Sequence, residues 1–444
     1  MTLALREQAV ALYRRGLEAI TPEALMRGAL ALERGAGGTG PAALRVRFLD
    51  REARVPLDPA GQVILVAVGK AAAPMAAEAR RLLAALGDAL QGLAVTKHGF
   101  ALEGLPFPQM EAAHPVPDAT GVAAAEAVLR IVSGLRQHDL VLVLMSGGAS
   151  ALLPAPLEGI TLADKQALVE RMLRTKMDIH EINRVRKAVS RIKGGGLAAF
   201  AAPARVVGLY LSDVPGDDLA SIGSGPTVPE PVDARAVIAL LREKGIWEGI
   251  PDSVRRSLEG GGLTKDFARL PAPPLNGLIG SNRHLLRAVG EAARAAGFRV
   301  EVDERPTTGL NAEALPGLLA RWEALRGRER EGALCRVSGG ETLVEVTGQG
   351  LGGRCQELAA LTMPRLDAES VFLAAGSDGN DGPTDAAGGV VDSESWLRVQ
   401  RERIPYDALL KDNDSYHLLQ RSGNLIQVPP TRNNVMDLHL FLRG

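Results

Sequence analysis

The segment VILVAVGKAAAPMA (63–76) joins an apolar run, a glycine turn and an alanine-rich helix in direct succession. The run Val63–Val68 is apolar at every position, which is typical of a strand buried on both faces of a parallel sheet. Gly69 provides the tight turn, and Lys70 stands where the turn meets the helix. Open α/β sheets bind ligands at the carboxyl ends of such strands, so the junction predicts an α/β fold with Lys70 at a binding edge. The competing interpretation is a solvated Gly-Lys turn, which this class of fold produces often.

Further strands and helices alternate along the chain, which favours a largely parallel sheet with helices on both faces. The first half adds three predicted strands, at 93–96, 140–145 and 205–211. The glycine- and proline-rich stretch 260–274 indicates the main domain boundary. We therefore expect two α/β domains, over 1–255 and 256–444. The strand 275–280 and the helix 283–296, which open the second half, could belong to either domain.

The composition is that of a globular protein without an extended charged surface. The 444 residues carry a formal net charge of −1, so nothing predicts a nucleic-acid partner or binding to an anionic membrane. No apolar run approaches the ~18–20 residues that span a bilayer, and the N-terminal segment lacks a signal-peptide core, so we expect a cytoplasmic protein. The two cysteines, Cys335 and Cys355, lie outside any CxxC or Cys/His cluster, which argues against structural zinc and a disulfide framework. The oligomeric state stays open, with a homodimer as one option.

The predicted strand at 140–145 ends in the turn SGGAS. Its residues are Ser146, Gly147, Gly148, Ala149 and Ser150. Successive glycines let backbone N–H groups approach a bound anion and the two hydroxyl groups add donors, so the turn predicts a phosphate-binding site. It is not a P-loop, because GxxxxGK[ST] occurs nowhere in the chain. The alternative gives these glycines no role beyond a tight crossover.

Two other buried strands run into acidic loops. The carboxylates are Asp213, Asp217 and Asp218 after the strand 205–211, and Asp378, Asp381 and Asp385 after a strand at 370–375. Carboxylates at strand ends beside phosphate-binding turns are suited to hold Mg²⁺ or to accept a hydroxyl proton. Asp213 is the preferred candidate because the strand fixes its direction, whereas Asp217 could equally cap a helix. Gly382 occupies a ligand position of the EF-hand pattern, which disfavours calcium and leaves magnesium or a glycine-rich surface turn.

The segment GQGLGGRCQE (348–357) satisfies the GxGxxG pattern of dinucleotide-binding loops. That fingerprint requires a parallel βαβ unit, whereas the strands 333–337 and 342–346 read as two halves of a hairpin across 338–341. We therefore do not expect a dinucleotide at this loop. Arg354 stands at the start of the following helix, where its planar fork can grip a carboxylate or a phosphate.

The segment EINRVRKAVSRIKGG (181–195) carries basic residues between apolar positions at helical spacing. They are Arg184, Arg186, Lys187, Arg191 and Lys193. We expect most of these charges to form a solvated helix face, and one or two could close a polyanion site.

Six groups of motifs, in order, resemble the glycerate 2-kinases that carry a C-terminal MOFRL domain. They are HPVPD (114–118), SGGASALLPAP (146–156), EINRVRKAVSRIKGG (181–195), SDVPGDD with SGPTVP (212–218 and 224–229), SGGE with GGRCQE (338–341 and 352–357) and GSDGNDGPTDAAG (376–388). The resemblance runs over nearly the whole chain. It implies a Rossmann-like N-terminal domain and a C-terminal α/β domain around a cleft, with a MOFRL region over about 333–440.

The resemblance also implies an activity, in which ATP and Mg²⁺ or another divalent cation serve to phosphorylate the 2-hydroxyl of D-glycerate. The family's active-site cations correspond to Lys70 and Arg354, one acting on the transferring phosphate and one on the glycerate carboxylate across the cleft. Asp213 or Asp378 would hold the metal or take the hydroxyl proton. The expected site comprises Lys70, Arg354 and Asp213 as catalytic residues, Ser146 to Ser150 with Asn282 for the nucleotide, and Asp378, Asp381 and Asp217 for the metal.

Some positions depart from the family pattern and leave substrate and donor preference open. They are Cys355 in place of asparagine, Gly196 in place of arginine, Arg184 in place of a small polar residue, and Arg432 in a PPTRNN loop. The alternative function is an NAD(P)H-dependent oxidoreductase acting on hydroxypyruvate or a tartronate-type acid, because the family has also carried such labels. It would need a general acid, for which His114 is the nearest candidate. A non-catalytic ligand-binding protein would not need the clustered carboxylates.

Overall fold

The computed structural model describes residues 2–35, 40–329 and 332–444. Within it the chain forms two compact units. Unit 1 comprises Met1–Ala24, Asp213–Gly216 and Gly280–Gly444, and unit 2 comprises Leu25–Ser212 and Asp217–Ile279. These bounds differ from the domains 1–255 and 256–444, which stay a prediction from the sequence.

The helices and strands are numbered in chain order. The α-helices are α1 (Thr2–Ala19), α2 (Pro22–Ala29), α3 (Ala72–Leu82), α4 (Ala119–Val132), α5 (Ala149–Leu152), α6 (Leu162–Leu173), α7 (Ile179–Ala188), α8 (Gly196–Ala201), α9 (Ala234–Glu243), α10 (Asp252–Glu259), α11 (Asn282–Ala295), α12 (Asn311–Arg328), α13 (Arg354–Thr362), α14 (Ser393–Arg401), α15 (Tyr406–Lys411) and α16 (Ser415–Ser422). The strands are β1 (Leu30–Arg34), β2 (Pro41–Arg47), β3 (Glu52–Pro56), β4 (Val63–Val68), β5 (Leu90–Lys97), β6 (Gln109–Ala112), β7 (Leu140–Met145), β8 (Arg205–Leu211), β9 (Leu275–Gly280), β10 (Arg299–Leu310), β11 (Leu334–Leu343), β12 (Ser370–Gly376), β13 (Gly388–Asp392), β14 (Leu425–Ile426) and β15 (Asp437–Arg443).

The main sheet of unit 2 has the strand order β6-β5-β4-β7-β8-β9. The central strand β4 pairs in parallel with β5 and β7, and β7 pairs in parallel with β8. Every residue of β4 and β7 is buried, as expected of strands covered on both faces. The parallel α/β sheet and its strands at 63–68, 140–145 and 205–211 are therefore confirmed, and β9 joins this sheet.

The sheet of unit 1 is mixed, with the order β10-β11-β15-β12-β13-β14. Strands β10 and β11 pair in parallel, while β15 pairs antiparallel with both β11 and β12. The last strand of the chain thus lies in the middle of the sheet. This position brings residues near the C-terminus beside residues about a hundred positions earlier, at β11.

The hairpin expected at 333–346 is wrong, because Leu334–Leu343 is one continuous strand. Its glycines serve close approach rather than a turn. Gly340 has φ +138°, and a Cβ there would lie 2.2 Å from the carbonyl oxygen of Thr307 on β10. The parallel register shifts next to this point, between Asp303 and Thr307. A glycine therefore lets the strand continue past an irregular neighbour.

The N-terminal helix belongs to unit 1 because its side chains bond to residues of that unit. Tyr13 is fully buried and donates its hydroxyl proton to the carbonyl oxygen of Gly376 at 2.7 Å. Arg6 forms an ion pair with Asp392 at 3.4 Å. In the described part of the chain, no helix has both the length and the apolarity that crossing a membrane requires.

Candidate active site

In unit 2, the turn after β4 is tied to the SGGAS turn after β7. The N–H of Lys70 donates to the carbonyl oxygen of Gly147 at 2.9 Å, and the N–H of Ala71 donates to the hydroxyl of Ser146 at 3.0 Å. Gly69 adopts φ +130°, and a Cβ there would lie 2.1 Å from Oγ of Ser146. The glycine is thus required for two neighbouring strand ends to meet. These contacts bring Lys70 and the SGGAS turn together, and the roles predicted for them from the sequence stay predictions.

His114 lies against the same turn. A Cβ on Gly148, which has φ +85°, would lie 3.0 Å from Cδ2 of His114 and 3.4 Å from Cγ of Lys70. Burial lowers the pKa of the His114 imidazole to about 4, assisted by the positive charges of Lys70 and Lys97. His114 is therefore neutral near pH 7, so one ring nitrogen can donate a hydrogen bond and the other can accept one.

The backbone N–H groups of the SGGAS turn have no partners within the part of the chain that the structure describes. The groups concerned belong to Gly147, Gly148, Ala149 and Ser150. Gly147 and Ala149 are themselves buried, so these donors are sheltered from bulk water. Orphaned N–H groups in succession beside a lysine are what an anion-binding turn provides.

The basic segment after α6 is not a solvated face, and that expectation was wrong for most of its charges. Arg184 is exposed, but Lys187 and Lys193 are buried, with only 5% and 1% of their surfaces accessible. Lys187 pairs with Glu230, and Arg191 pairs with Glu126. The apolar stripe of α7 packs into the core. Sequence spacing alone does not reveal that Lys187 and Lys193 are buried as well.

In unit 1, Arg354 begins α13 with its guanidinium held by two carboxylates. Its Nε and Nη2 donate to the two carboxylate oxygens of Asp437 at 2.6 and 2.9 Å. Its Nη1 lies 2.9 Å from Oε1 of Glu341. Burial by itself would lower the pKa of Arg354, but the hydrogen bonds and charge of Asp437 raise it above the ordinary value. The guanidinium of Arg354, which the sequence analysis assigned to a ligand, therefore makes most of its contacts with carboxylates of the protein.

Several carboxylates act on Glu341 in addition to Arg354. Burial raises the pKa of Glu341, and the negative charges of Asp437, Asp213 and Asp378 raise it further, against the lowering effect of Arg354. Asp213 and Asp378, both predicted from strand ends, thus lie within electrostatic range of one glutamate in unit 1. Carboxylates grouped in this way suit a divalent cation or a group that takes up a proton.

Asp381 has a local role at the start of α13. One of its carboxylate oxygens accepts a hydrogen bond from the N–H of Gln356 at 2.8 Å. Burial raises its pKa to about 7. A Cβ on Gly353 would lie 2.3 Å from Cγ of Asp381, so the second glycine of GGR makes room for this carboxylate. Asp381 therefore holds the helix that presents Arg354.

The predicted metal ligands are divided between the two units of the chain. Asp378 and Asp381 belong to unit 1, and Asp217 belongs to unit 2. Among the described residues, no three His, Cys, Asp or Glu side chains are arranged to enclose a metal ion. Magnesium in kinases needs only one or two carboxylates, with phosphate oxygens and water completing its shell. The carboxylates around Glu341 fit that limited requirement.

Asn282 belongs to unit 1, whereas the SGGAS turn with which it was grouped belongs to unit 2. Its side-chain amide donates to the carbonyl oxygens of Val435 and Asp437, both at 2.9 Å. A Cβ on Gly339 would lie 2.4 Å from Oδ1 of Asn282. Asn282 thus fixes the start of β15 and with it Asp437. Its assignment to the nucleotide stays a prediction.

The glycine loop 348–353 uses its N–H groups inside the protein. The N–H of Gln349 donates to the side chain of Asp412 at 2.9 Å, and the N–H of Gly350 donates to the carbonyl oxygen of Asp412 at 2.7 Å. The N–H of Leu351 donates to Asp414 at 3.2 Å. These donors are therefore not available to a pyrophosphate. Dinucleotide binding was excluded above because a hairpin was expected, and that reason was wrong, since β11 is parallel to β10. The physical reason is instead that the N–H groups of the loop already donate to residues of the protein.

Two residues of these sites, Glu341 and Asp437, were not singled out from the sequence, and His114 was considered only as a general acid for the alternative function. Glu341 and His114 lie inside the motifs SGGE and HPVPD, so the resemblance carried a signal for both. No sequence signal pointed to Asp437, because it begins strand β15, which was not predicted from the sequence.

Comparison with known proteins assigns residues 8–259 to the family described as a domain of unknown function, DUF4147, and residues 334–437 to the MOFRL family. The chain is 38% identical over 388 residues to a protein named glycerate 2-kinase from Pyrococcus horikoshii, covering 85% of this chain and 86% of that protein. It is 36% identical to a protein named putative hydroxypyruvate reductase from Agrobacterium vitis, covering 88% and 89% of the two chains. The crystal structure of glycerate kinase from Thermotoga maritima matches with a TM-score of 0.85 and 33% identity, over 99% of this chain and 100% of that chain. The chain therefore belongs to the glycerate kinase family, in which a DUF4147 domain is followed by a MOFRL domain.

Proposed function

We propose that the protein transfers the γ-phosphoryl group of ATP to the 2-hydroxyl of D-glycerate, giving 2-phosphoglycerate and ADP. The observation that carries this proposal is the junction of Lys70 with the SGGAS turn, where a lysine adjoins successive unpartnered N–H groups. Membership of the glycerate kinase family supports the substrate, and the name of the Pyrococcus horikoshii relative supports the 2-hydroxyl.

Unit 2 supplies the groups that bind and stabilise phosphate. Phosphoryl transfer needs positioned positive charge far more than covalent chemistry, because charge spreads over the oxygens of the transferring group. Lys70 provides a point charge, and the N–H groups of Gly147 to Ser150 provide fixed dipoles. Neutral His114, against Gly148 and Lys70, can hydrogen-bond to the same phosphate without adding charge.

Unit 1 supplies a pre-oriented arginine and a proton acceptor. A guanidinium has five N–H donors, and the contacts with Asp437 and Glu341 use three of its nitrogens while leaving N–H bonds for a carboxylate. We assign these to the carboxylate of glycerate. Glu341, whose pKa is raised by burial, is suited to take the proton of the attacking hydroxyl, with Asp213 nearby.

A divalent cation bound with ATP would neutralise charge on the β- and γ-phosphates. The carboxylates of Asp213, Asp378 and Asp437 are the groups of unit 1 that would help to hold it. The roles of individual carboxylates, a cytoplasmic location and a homodimer stay predictions.

The test is a coupled assay with purified protein, ATP, Mg²⁺ and D-glycerate, in which the product is identified by its dependence on enolase or phosphoglycerate mutase. Formation of 2-phosphoglycerate is the expected result. Formation of 3-phosphoglycerate would overturn the position of transfer and keep the kinase. Oxidation of NADH or NADPH dependent on hydroxypyruvate, without release of ADP, would overturn the kinase proposal altogether.

A further inference from the structure

A cluster of buried cations surrounds Ser150, the last residue of the SGGAS turn. Its hydroxyl oxygen accepts hydrogen bonds from Nη2 of Arg186 and from Nζ of Lys193, the latter at 2.6 Å. Lys193 has only 1% of its surface exposed, and its other acceptors are backbone carbonyls, including that of Gly223 at 3.2 Å. Two basic side chains therefore meet on one neutral hydroxyl group.

Lys165, on α6, adds a third cation to this cluster. Only 4% of its surface is exposed, and its Nζ has no hydrogen-bond partner among the described residues. Nε of Arg186 is likewise buried without a partner there. The pKa of Lys165 is lowered to about 8, with burial as the larger cause and the positive charge of Arg186 as the smaller. The positive charge of Lys165 also helps to lower the pKa of Lys193. The three side chains thus lie within electrostatic range of one another.

Neighbouring basic residues have a carboxylate counter-charge, and Glu230 acts on both Lys187 and Lys265. Lys165, Arg186 and Lys193 form no ion pair with a carboxylate among the described residues. Lys187 pairs with Glu230, and Arg191 pairs with Glu126. Nζ of Lys265 donates to the carbonyl oxygen of Lys187 at 3.3 Å. Burying basic groups without a counter-charge disfavours the folded state, and burial lowers the pKa of Lys193 well below its ordinary value, so a protein that retains such groups has a use for them.

The donors of the cluster match an oxyanion with several negative charges. A hydroxyl oxygen has two acceptor sites and one proton. Since Arg186 and Lys193 fill the acceptor sites of Ser150, its O–H bond is left as a donor. The turn adds the N–H groups that precede it in the chain. A single carboxylate would leave most of this charge uncompensated, whereas a chain of phosphates would match it.

We propose that Lys165, Arg186 and Lys193, together with Ser150, form the polyphosphate subsite of the phosphoryl donor. This inference rests on the proposed function and deepens it, because it assigns the donor's phosphate chain to buried side chains outside the Lys70 junction. The cluster binds the phosphate chain of the donor, while Lys70 acts on the group that is transferred.

The experiment uses Lys165→Met in the full chain, with inorganic tripolyphosphate and ATP as probes and titration calorimetry and thermal unfolding as readouts. Methionine keeps the length and apolar stem of lysine and removes the buried charge. The melting temperature of the ligand-free protein should therefore rise. Affinity for tripolyphosphate and ATP should fall about tenfold or more, because a charged hydrogen bond to phosphate is lost. KM for D-glycerate should stay unchanged.

Lys176→Met is the matched control, since Lys176 is exposed and lies shortly after the end of α6. It should leave the affinity for tripolyphosphate as in the wild type. Arg186→Gln, which removes the charge from a second member, should also weaken tripolyphosphate binding. This variant keeps the test decisive if the lysine variant folds poorly.

Two outcomes would overturn the subsite. The first is a lower melting temperature of Lys165→Met with unchanged affinity for tripolyphosphate, which a purely structural lysine would give. The second is a loss of affinity for D-glycerate with unchanged binding of ATP. Failure of the proposed function looks different, because tripolyphosphate binding is measured without glycerate. Wild-type protein that binds tripolyphosphate through these residues but does not phosphorylate glycerate would keep the subsite and reject the glycerate kinase proposal.

Discussion

Arg354 and Asp437 form a bidentate ion pair between the start of α13 and the start of β15. The two donor–acceptor distances are 2.6 and 2.9 Å, and Asp437 is almost completely buried. Asn282 holds the backbone of Asp437 at 2.9 Å. The arginine is therefore fixed before any ligand arrives, and its remaining N–H bonds have a set direction. This arrangement makes Asp437 a positioning residue for the arginine.

We expect Asp437→Asn to impair turnover through Arg354. An amide can keep only one of the two hydrogen bonds, so the guanidinium loses its fixed orientation. Turnover should fall about a hundredfold, as small misplacements of a catalytic group commonly cause. Stability should fall by about 2–3 kcal/mol, less than for a fully buried pair because Arg354 is partly exposed. Steady-state kinetics measure the turnover, and urea unfolding measures the stability. Asp407→Asn, at an exposed position on α15, is the control. Wild-type turnover in Asp437→Asn would contradict the positioning role.

His114 should make the protein sensitive to acid between about pH 6.5 and pH 4. Its folded-state pKa of about 4 lies below the ordinary value of 6.5, so the unfolded chain takes up the proton first as pH falls. Stability is then lost as pH decreases through that window and is unaffected above it. After allowance for partial exposure, the loss is about 1–2 kcal/mol.

Comparing melting temperatures of wild type and His114→Asn from pH 7 to pH 4.5 tests this expectation. The variant should lose less stability on acidification, and His180→Asn, at an exposed position, should behave as the wild type. Because the difference between His114→Asn and wild type isolates one histidine, other buried histidines do not affect the comparison. Parallel curves for wild type and His114→Asn would refute the assignment.

Gly353→Ala and Gly317→Ala should have opposite effects on stability. A Cβ on Gly353 would lie 2.3 Å from Cγ of Asp381, so the carboxylate would have to leave the N–H of Gln356. We expect a loss of about 1–3 kcal/mol and reduced turnover, since this helix start carries Arg354. A Cβ on Gly317, inside α12, meets nothing within 4 Å, and alanine there should stabilise by about 0.5–1 kcal/mol. Urea unfolding of both variants measures the two changes in the free energy of unfolding. A stabilising effect of Gly353→Ala would show that Asp381 does not need a glycine at position 353.

The two cysteines should resist thiol reagents in the folded protein. Both are buried and reduced. Burial raises the pKa of Cys335 to about 12 and raises that of Cys355 well above the ordinary value, so neither forms a reactive thiolate near pH 7. Ellman's reagent should find almost no thiol in native protein and both thiols in denaturant. Rapid reaction of either thiol under native conditions would contradict this expectation.

Much of the fold follows from local pattern. The buried strands of unit 2 are apolar at every position, and the turns that follow them contain glycines whose positive φ or lack of a Cβ is structurally required. The capping box that Thr161 and Asp164 form at the start of α6 also follows from residue type and spacing. Such features depend on residues near one another in the chain, so the sequence contains the information directly.

The strand β11 shows where local pattern fails. The sequence Ser-Gly-Gly-Glu is typical of a turn, yet the neighbouring strand β10 keeps it extended. The basic segment 181–195 is a second case, because charge alone predicts exposure. Its lysines are buried through pairing with Glu230 and through contacts at Ser150, which come from distant parts of the chain.

The sequence by itself determined the α/β class, the largely parallel sheet, and the placing of Lys70 and of the SGGAS turn each at the end of a buried strand. It could do so because apolar pattern and glycine content are local properties. Only the tertiary structure decided that these two strand ends are neighbours. Only the tertiary structure decided that the fork of Arg354 is held by Asp437 and Glu341, that Asp381 supports the start of α13, and that Lys165 is buried among other cations. Those relationships join residues far apart in the chain, and the burial that changes their charge and hydrogen bonding exists only once the units have folded.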